Sequence, residues 1–304
     1  MKSVTRTAQN FAGIIRRQWE RDSTLIIWSA VLVAILLVSL LGPFFLAPPN
    51  QQAPLDRLQG PSAAHWLGTD DFGRDILSRV VSAGRVSLAI GAVITIISIV
   101  LGTFIGLVAG YYQSASAVLM RLMDALMSFP AIVLAIALVV ALDSQSGAIA
   151  ETIALTVVFV PYVARVMRSR TIALAQRGFV TAAKASGVRG PRILLIHILP
   201  NAVPTVLVQA TFVYASALLA DASLSFLGLG VPPPTASWGN MIADAKVYIS
   251  SAPLFIIVPG LAIVLSVMAF NLTGDSIRTL IDPRAKAVVD LQSLKKRIAS
   301  GRRR

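Results

Sequence analysis

The 304 residues carry 27 Lys/Arg against 14 Asp/Glu, a net charge of +13, yet only 13% are charged and 56% are hydrophobic. A soluble domain has about twice that charged fraction, and the apolar residues gather into runs near the length of about 20 that crosses a bilayer; an all-α polytopic membrane protein is expected. The lack of cysteine excludes disulfides and thiolate metal sites, and basic residues flanking apolar runs reflect topology, not nucleic-acid binding.

Residues 8–21 alternate apolar and basic positions at near-helical spacing, which predicts an interfacial helix within a cytoplasmic segment 1–24. The first span is predicted over Leu25–Leu46. It is too long for a signal-peptide core and lacks a small-residue cleavage site, so it is expected to be retained. In the external segment 47–85, Asp56, Asp70, Asp71 and Asp75 balance Arg57, Arg74, Arg79 and Arg85, the mark of a folded surface element. Asp71-Phe72-Gly73 matches a kinase magnesium motif by letters alone, because no Gly-rich strand or catalytic loop accompanies it.

A membrane core follows over 86–284. Its first span, Val86–Ala109, leads into Gly110 and places Ser98, Gly102, Gly106 and Gly110 at four-residue steps, which lets two helix backbones come close. Static packing inside the bundle is favoured over a moving or dimerising contact. The third span of the chain, Val118–Ala141, puts Arg121 and Asp124 on one helix face, where a local pair near the inner surface is expected. Pro130 is expected to bend it. The fourth, Ile149–Val166, holds Glu151 and Pro161, which neighbours in a bundle interior can satisfy.

Arg165 to Asn201 carries seven Lys/Arg (Arg165, Arg168, Arg170, Arg177, Lys184, Arg189, Arg192) and no acid. Phe179 to Ser186 reads as a short helix closed by Gly187, followed by a turn at Arg189-Gly190-Pro191 and an apolar run, Ile193 to Leu199, stopped by Pro200. So basic a helix–turn–helix stays at the cytoplasmic surface and offers a compact knob to a soluble partner. The loop is placed at 167–201. The fifth span is predicted over Val203–Leu219 and the sixth over Leu254–Leu272, with residues 221–252 external between them. Ala222 to Leu229 is apolar but too short to cross, and suits a re-entrant or interfacial element lining a cavity or, equally, an ordinary external loop cap. A basic tail, 285–304, is expected to be solvated or to rest on anionic lipid. With both termini cytoplasmic, Arg57, Arg74, Arg79, Arg85 and Lys246 alone of the 27 Lys/Arg are external, which sets the orientation.

Chemistry is sparse. No Walker sequence occurs, and the Gly228-Leu229-Gly230 pattern has no strand–turn–helix around it. His65 and His197 are expected on opposite faces of the membrane and cannot share a metal; no Ser/His/Asp grouping assembles on one side. An intramembrane enzyme is therefore disfavoured, leaving a passage or a partner-driven gate.

Thr181-Ala182-Ala183, Gly187 and Pro200 resemble the Glu-Ala-Ala loop of permease subunits in bacterial ATP-binding-cassette (ABC) importers. The resemblance extends to residues 65–75, Arg85 to Leu88, Arg121 with Asp124, His197 to Asn201, Ser223 to Gly230 with Trp238-Gly239, and Asn271 to Arg284. In order and spacing these blocks are similar to the C-type permease of the dipeptide, oligopeptide and nickel group. That resemblance implies a type I importer permease fold in a bacterial cytoplasmic (inner) membrane. It also implies a homologous second permease, two P-loop ATPase subunits that bind ATP and Mg, and an extracytoplasmic substrate-binding protein, with no cofactor or catalysis on this chain. Thr181, Ala182, Ala183, Lys184, Gly187, His197 and Pro200 then fall to ATPase coupling. Thr181 stands where the family usually has Glu, which removes one charge-assisted contact. Candidates for the pathway or gate are Glu151, Asp221, Phe226 and Gly228. Di- or oligopeptides are the expected cargo, with nickel, glutathione or another small solute as alternatives. The rival class is a self-contained channel or secondary transporter, which would need paired intramembrane ionisable residues or internal symmetry; neither stands out in the sequence. A structural scaffold is a third reading.

Overall fold

The computed structural model describes residues 23–142 and 147–281. The expected interfacial helix at 8–21, Asp282-Pro283-Arg284 and the basic tail lie outside them. Apolar runs fold as helices because a bilayer offers no water to satisfy a bare backbone. In chain order they are α1 (Ser23–Leu41), α2 (Ile76–Tyr111), α3 (Gln113–Met127), α4 (Ala131–Ala141) and α5 (Gly147–Ala175). Then come α6 (Gly178–Ala185), α7 (Leu199–Phe226), α8 (Trp238–Ala245) and α9 (Pro253–Ile281). Among the described residues five helices are long and apolar enough to cross a membrane, and the pair α3–α4 makes a sixth crossing if taken as one broken span.

Four boundaries differ from expectation. Helix α2 starts at Ile76, not Val86, because Asp75 caps it by accepting from the Ser78 amide at 2.8 Å. Its 36 residues reach about 54 Å, well past the roughly 30 Å hydrocarbon core, so part of it projects. The third span is not one gently bent helix: α3 and α4 meet at 93°. Pro130 has no amide hydrogen and excludes helical geometry from Phe129, so the chain restarts with Pro130 (φ −54°, ψ 130°) as the N-cap of α4. Pro200 does not stop its helix. It occupies the first turn of α7, where a missing N–H is harmless, and a single turn at Gly190–Arg192 followed by π-helical turns over Ile193–Ile198 leads directly into it. Finally, Ala222 to Phe226 is no separate re-entrant run but the last turn of α7.

The small-residue stripe packs inside this chain. Helix α2 lies against α5 along its length, so close that a Cβ at Gly102 would meet Val163 Cβ at 2.5 Å. At Gly106 it would meet Met167 Cβ at 2.5 Å and the Ala164 carbonyl at 2.6 Å. One apolar core joins Ile94, Leu155, Val163, Met167, Ile193 and Ile198; a second joins Ile76, Leu218, Trp238, Met241 and Phe255. Trp238 spans the second by donating its indole N–H to the Val80 carbonyl at 2.9 Å.

The segment before α2 is folded, as its balanced charges suggest. Asp70 is fully buried and accepts from the Phe72 and Arg74 amides at 2.8 and 2.9 Å. The Arg74 Nε lies 2.6 Å and the Arg79 Nε 3.2 Å from its second oxygen. Arg57 reaches across to the Tyr248 hydroxyl at 3.2 Å. This end of the bundle is therefore pinned by paired charges, while the opposite end carries the basic loop.

Candidate docking helix and candidate pathway residues

Helix α6 stands at the basic end. Its eight residues, Gly178 to Ala185, expose Phe179, Thr181, Ala182 and Lys184 and bury Val180 completely, so one edge is rooted in the bundle and the rest is presented outward. The rooted edge continues through Ala183 and Val188, which pack on the first core. Gly187 ends the helix at φ +76°. Its amide donates to the Lys184 carbonyl at 3.0 Å and that of Val188 to the Ala183 carbonyl at 3.1 Å, the two bonds of a Schellman cap. Nothing lies within 4 Å of a Cβ built at Gly187, so the glycine is required by its backbone angle and not by crowding. Thr181 turns its hydroxyl back on the Arg177 carbonyl at 3.5 Å, leaving the outward face without the carboxylate the family usually has there.

His197 and Pro200 are set apart from this helix, on the turns that enter α7. The His197 carbonyl accepts from Asn201 Nδ2 at 2.7 Å. The structure thus brings Thr181, Ala182, Ala183, Lys184 and Gly187 onto one short element and makes His197 and Pro200 part of the neighbouring helix entry. Three arginines at the basic end of α5 bond to neighbouring elements. Arg165 donates to Asp124 at 2.6 Å, Arg168 to the Ser116 hydroxyl at 3.0 Å and Arg170 to the Asn201 carbonyl at 3.3 Å. Asp124 is therefore paired with Arg165 on α5 and not with Arg121, because the chain turns at Tyr112 and lays α3 against α5.

The four pathway candidates do not converge. Glu151 on α5 and Asp221 on α7, 0% and 1% exposed, face each other in the bundle interior, with Ser87 of α2 beside Asp221. The two carboxyls form a pair seventy positions apart that spacing did not reveal. Gly228, at φ +81°, lines a cavity of about 520 Å³ with Gly147, Ser225, Gly230, Pro232, Asn240 and Asp244 at the end opposite α6. Phe226 is half-exposed outside that lining, with Lys246 Nζ 5.3 Å from its ring.

Residues 98–287 match the family described as the inner membrane component of binding-protein-dependent transport systems. The match holds the small-residue stripe, the broken span, α6 and both interior carboxylates. The chain belongs to this family. It is 39% identical over 274 residues, 89% of each chain, to the dipeptide transport system permease protein DppC of Alkalihalophilus pseudofirmus. It is 41% identical to the di/tripeptide transport system permease protein DppC of Pseudomonas aeruginosa, covering 80% of this chain and 78% of that one. The glutathione transport system permease protein GsiD of Pectobacterium atrosepticum is 42% identical, covering 76% and 77%. The fold is shared with a chain of the inward-facing MetNI methionine ABC transporter, at a TM-score of 0.54 and 21% identity, over 67% of this chain and 97% of that one. The protein is thus a multi-pass ABC importer permease of the bacterial inner membrane.

Several residues that position this permease's elements escaped the sequence reading. The Asp70–Arg74–Arg79 cluster was visible only as a charge balance. Tyr111 and Tyr112, which meet Lys184 and Gly190 at the basic end, carried no motif at all; two adjacent aromatics at the end of an apolar run were the available signal.

Proposed function

We propose that this permease forms half of the pathway of a di- or oligopeptide importer and is driven through α6 by separate ATPase subunits. The observation that carries the reading is α6 itself: a capped helix of small residues, rooted by Val180 and exposed on every other face, at the basic end of the bundle. Exposed alanines permit close approach by a groove, and a rigid cap makes the helix a lever. Placing that end in the cytoplasm, with both termini, follows the excess of Lys/Arg there. ATP binding closes the two ATPases and moves α6, and the bundle rocks from inward- to outward-open. The ATP-bound motor must favour the outward state, since a ligand shifts an equilibrium only through differential affinity. Substrate from an extracytoplasmic binding protein enters between this chain and a second permease. ATP and Mg reside on the motor subunits. Peptide cargo is supported by the relatives, which are permease proteins of dipeptide, di/tripeptide and glutathione transport systems.

The buried Glu151–Asp221 pair is the one feature that the rival secondary transporter would require. Neither carboxyl lines the 520 Å³ cavity, although Glu151 and Asp221 each stand one helical turn from a residue that does, Gly147 and Ser225. The decisive experiment is co-purification from the native membrane in mild detergent. The chain should bring a second permease and P-loop ATPases, and Ala182→Arg, which puts a bulky group on the exposed face of α6, should release the ATPases alone. Recovery of the chain by itself with transport intact after reconstitution would refute the reading.

A further inference from the structure

The docking role of α6 leaves open how its movement reaches the membrane. Resting on that reading, we propose that Tyr111 and Tyr112, at the corner between α2 and α3, are positioning residues that pass displacement of α6 into the broken α3–α4 element. Two separate points of the basic loop press on this aromatic pair. From α6, the Lys184 ammonium lies 4.9 Å from the centre of the Tyr111 ring, a cation–π distance. From beyond the cap, Gly190 approaches so closely that a Cβ there would lie 2.5 Å from the Tyr112 hydroxyl oxygen and 3.2 Å from Tyr111 Cε1. The two rings meet edge to face, 5.0 Å apart at 83°, so a push on one is felt by the other.

The corner is also where the direction of α3 is set. Tyr112 is extended (φ −103°, ψ 107°) between two helices. Its amide donates to the Val108 carbonyl at 2.9 Å, closing α2, and its carbonyl accepts from the Ser116 amide at 3.1 Å, opening α3. From the other side α3 is braced on α5 by Asp124–Arg165 at 2.6 Å and Ser116–Arg168 at 3.0 Å. Helix α5 in turn runs into α6 after Gln176 and Arg177. Thus α3 is held between two contacts that both lead back to α6, and with α4 it forms the broken span whose helices meet at 93° across Ser128–Pro130. Close-packed contacts transmit displacement rather than absorb it. Moving α6 therefore swings α3 about the Tyr112 corner and changes the angle at which α4 meets α5 and α7.

The test reads substrate moved per ATP hydrolysed, in proteoliposomes holding the complex as it co-purifies from the native membrane. Tyr111→Ala should lower that ratio about tenfold, within the usual range of a coupling free energy, in a complex that still holds its ATPases. Tyr111→Phe should stay within about twofold of the native chain, because the ring face that meets Lys184 is kept. Gly190→Ala should lower the ratio as well. Adding Tyr112→Phe, which removes the hydroxyl that the new methyl meets, should restore most of it. A native ratio in assembled Tyr111→Ala would overturn the proposal, as would a Tyr111→Phe variant as impaired as Tyr111→Ala. If Tyr111→Ala does not assemble, the Gly190 pair decides: absence of rescue by Tyr112→Phe overturns it. Failure of the docking reading is separately visible, because Ala182→Arg would then keep both its ATPases and its transport.

Discussion

Gly187 is the position where a single methyl group tests the proposed docking of α6. Its φ of +76° closes the Schellman cap that ends α6, and no atom lies within 4 Å of the site a Cβ would take. Gly187→Ala therefore adds no clash and alters only the backbone preference. Holding an alanine in the left-handed region costs about 1–2 kcal/mol. If the motor binds only the capped helix, that cost appears as affinity, a factor of about 5–30 at 1.4 kcal/mol per tenfold. Asparagine visits the same region more readily, so Gly187→Asn should lose only about a few-fold. The assay is a titration of membrane vesicles, holding this permease with its partner, against the purified ATPase subunits, with apparent Kd read by co-sedimentation. The order should be Gly, then Asn, then Ala, while thermal unfolding of the bundle stays unchanged. Equal affinities for Gly and Ala, or Asn as weak as Ala, would refute the reasoning.

Other positions test the scaffold. Gly106→Ala should lower the thermal midpoint in detergent by the equivalent of about 1–3 kcal/mol, since its methyl meets the Ala164 carbonyl at 2.6 Å and backbone cannot step aside; an unchanged midpoint would mean that α2 and α5 are not in contact there. Asp70→Asn leaves the buried Arg79 without its counter-charge and should destabilise by about 3–5 kcal/mol, visible as rapid proteolysis of residues 47–75. Burial, and next the neighbouring Asp71, holds the Asp244 carboxyl above its ordinary 3.8; burial, and next Asp70, does the same at Asp71. The folded state then binds protons more tightly than the unfolded one, so the stability from these groups is complete below pH 3.8 and is lost as pH rises through the folded values. Asp244→Asn should accordingly raise the thermal midpoint at neutral pH, with the gain vanishing on acidification. A gain that does not depend on pH would contradict that cause.

What the sequence made legible was whatever repeats at helical spacing or stands at a helix end. The apolar runs, the Gly102–Gly106–Gly110 stripe and the Gly187 cap all depend on neighbours within one helix turn or on one residue's backbone, and each is found where the spacing puts it. The misplacements came from prolines and long-range partners. Pro130 and Pro200 carry the same local signal, yet the chain leaves the helix at Pro130 (ψ 130°) and stays helical through Pro200, where π-helical turns over Ile193–Ile198 run into α7. Local spacing pairs Asp124 with Arg121, its neighbour in sequence, since nothing local announces that α3 lies across α5 and offers Arg165 instead. Glu151 and Asp221 were singled out one at a time. Their meeting depends on the packing of α5 against α7, which no pattern within either helix encodes.

The docking of α6 on a motor subunit is tested most directly by cross-linking. The chain contains no cysteine, so Ala182→Cys introduces a unique thiol on the exposed face of α6. Oxidation of native membranes carrying this variant, together with ATPase subunits bearing single cysteines along their surface groove, should give a disulfide-linked pair identified by mass spectrometry. That thiol should also resist a membrane-impermeant maleimide in intact cells, while Leu55→Cys at the opposite end is labelled. A cross-link that changes in yield when ATP is bound is the expected result; an Ala182→Cys thiol that is labelled from outside, and that joins no ATPase, would contradict the coupling role and the orientation together.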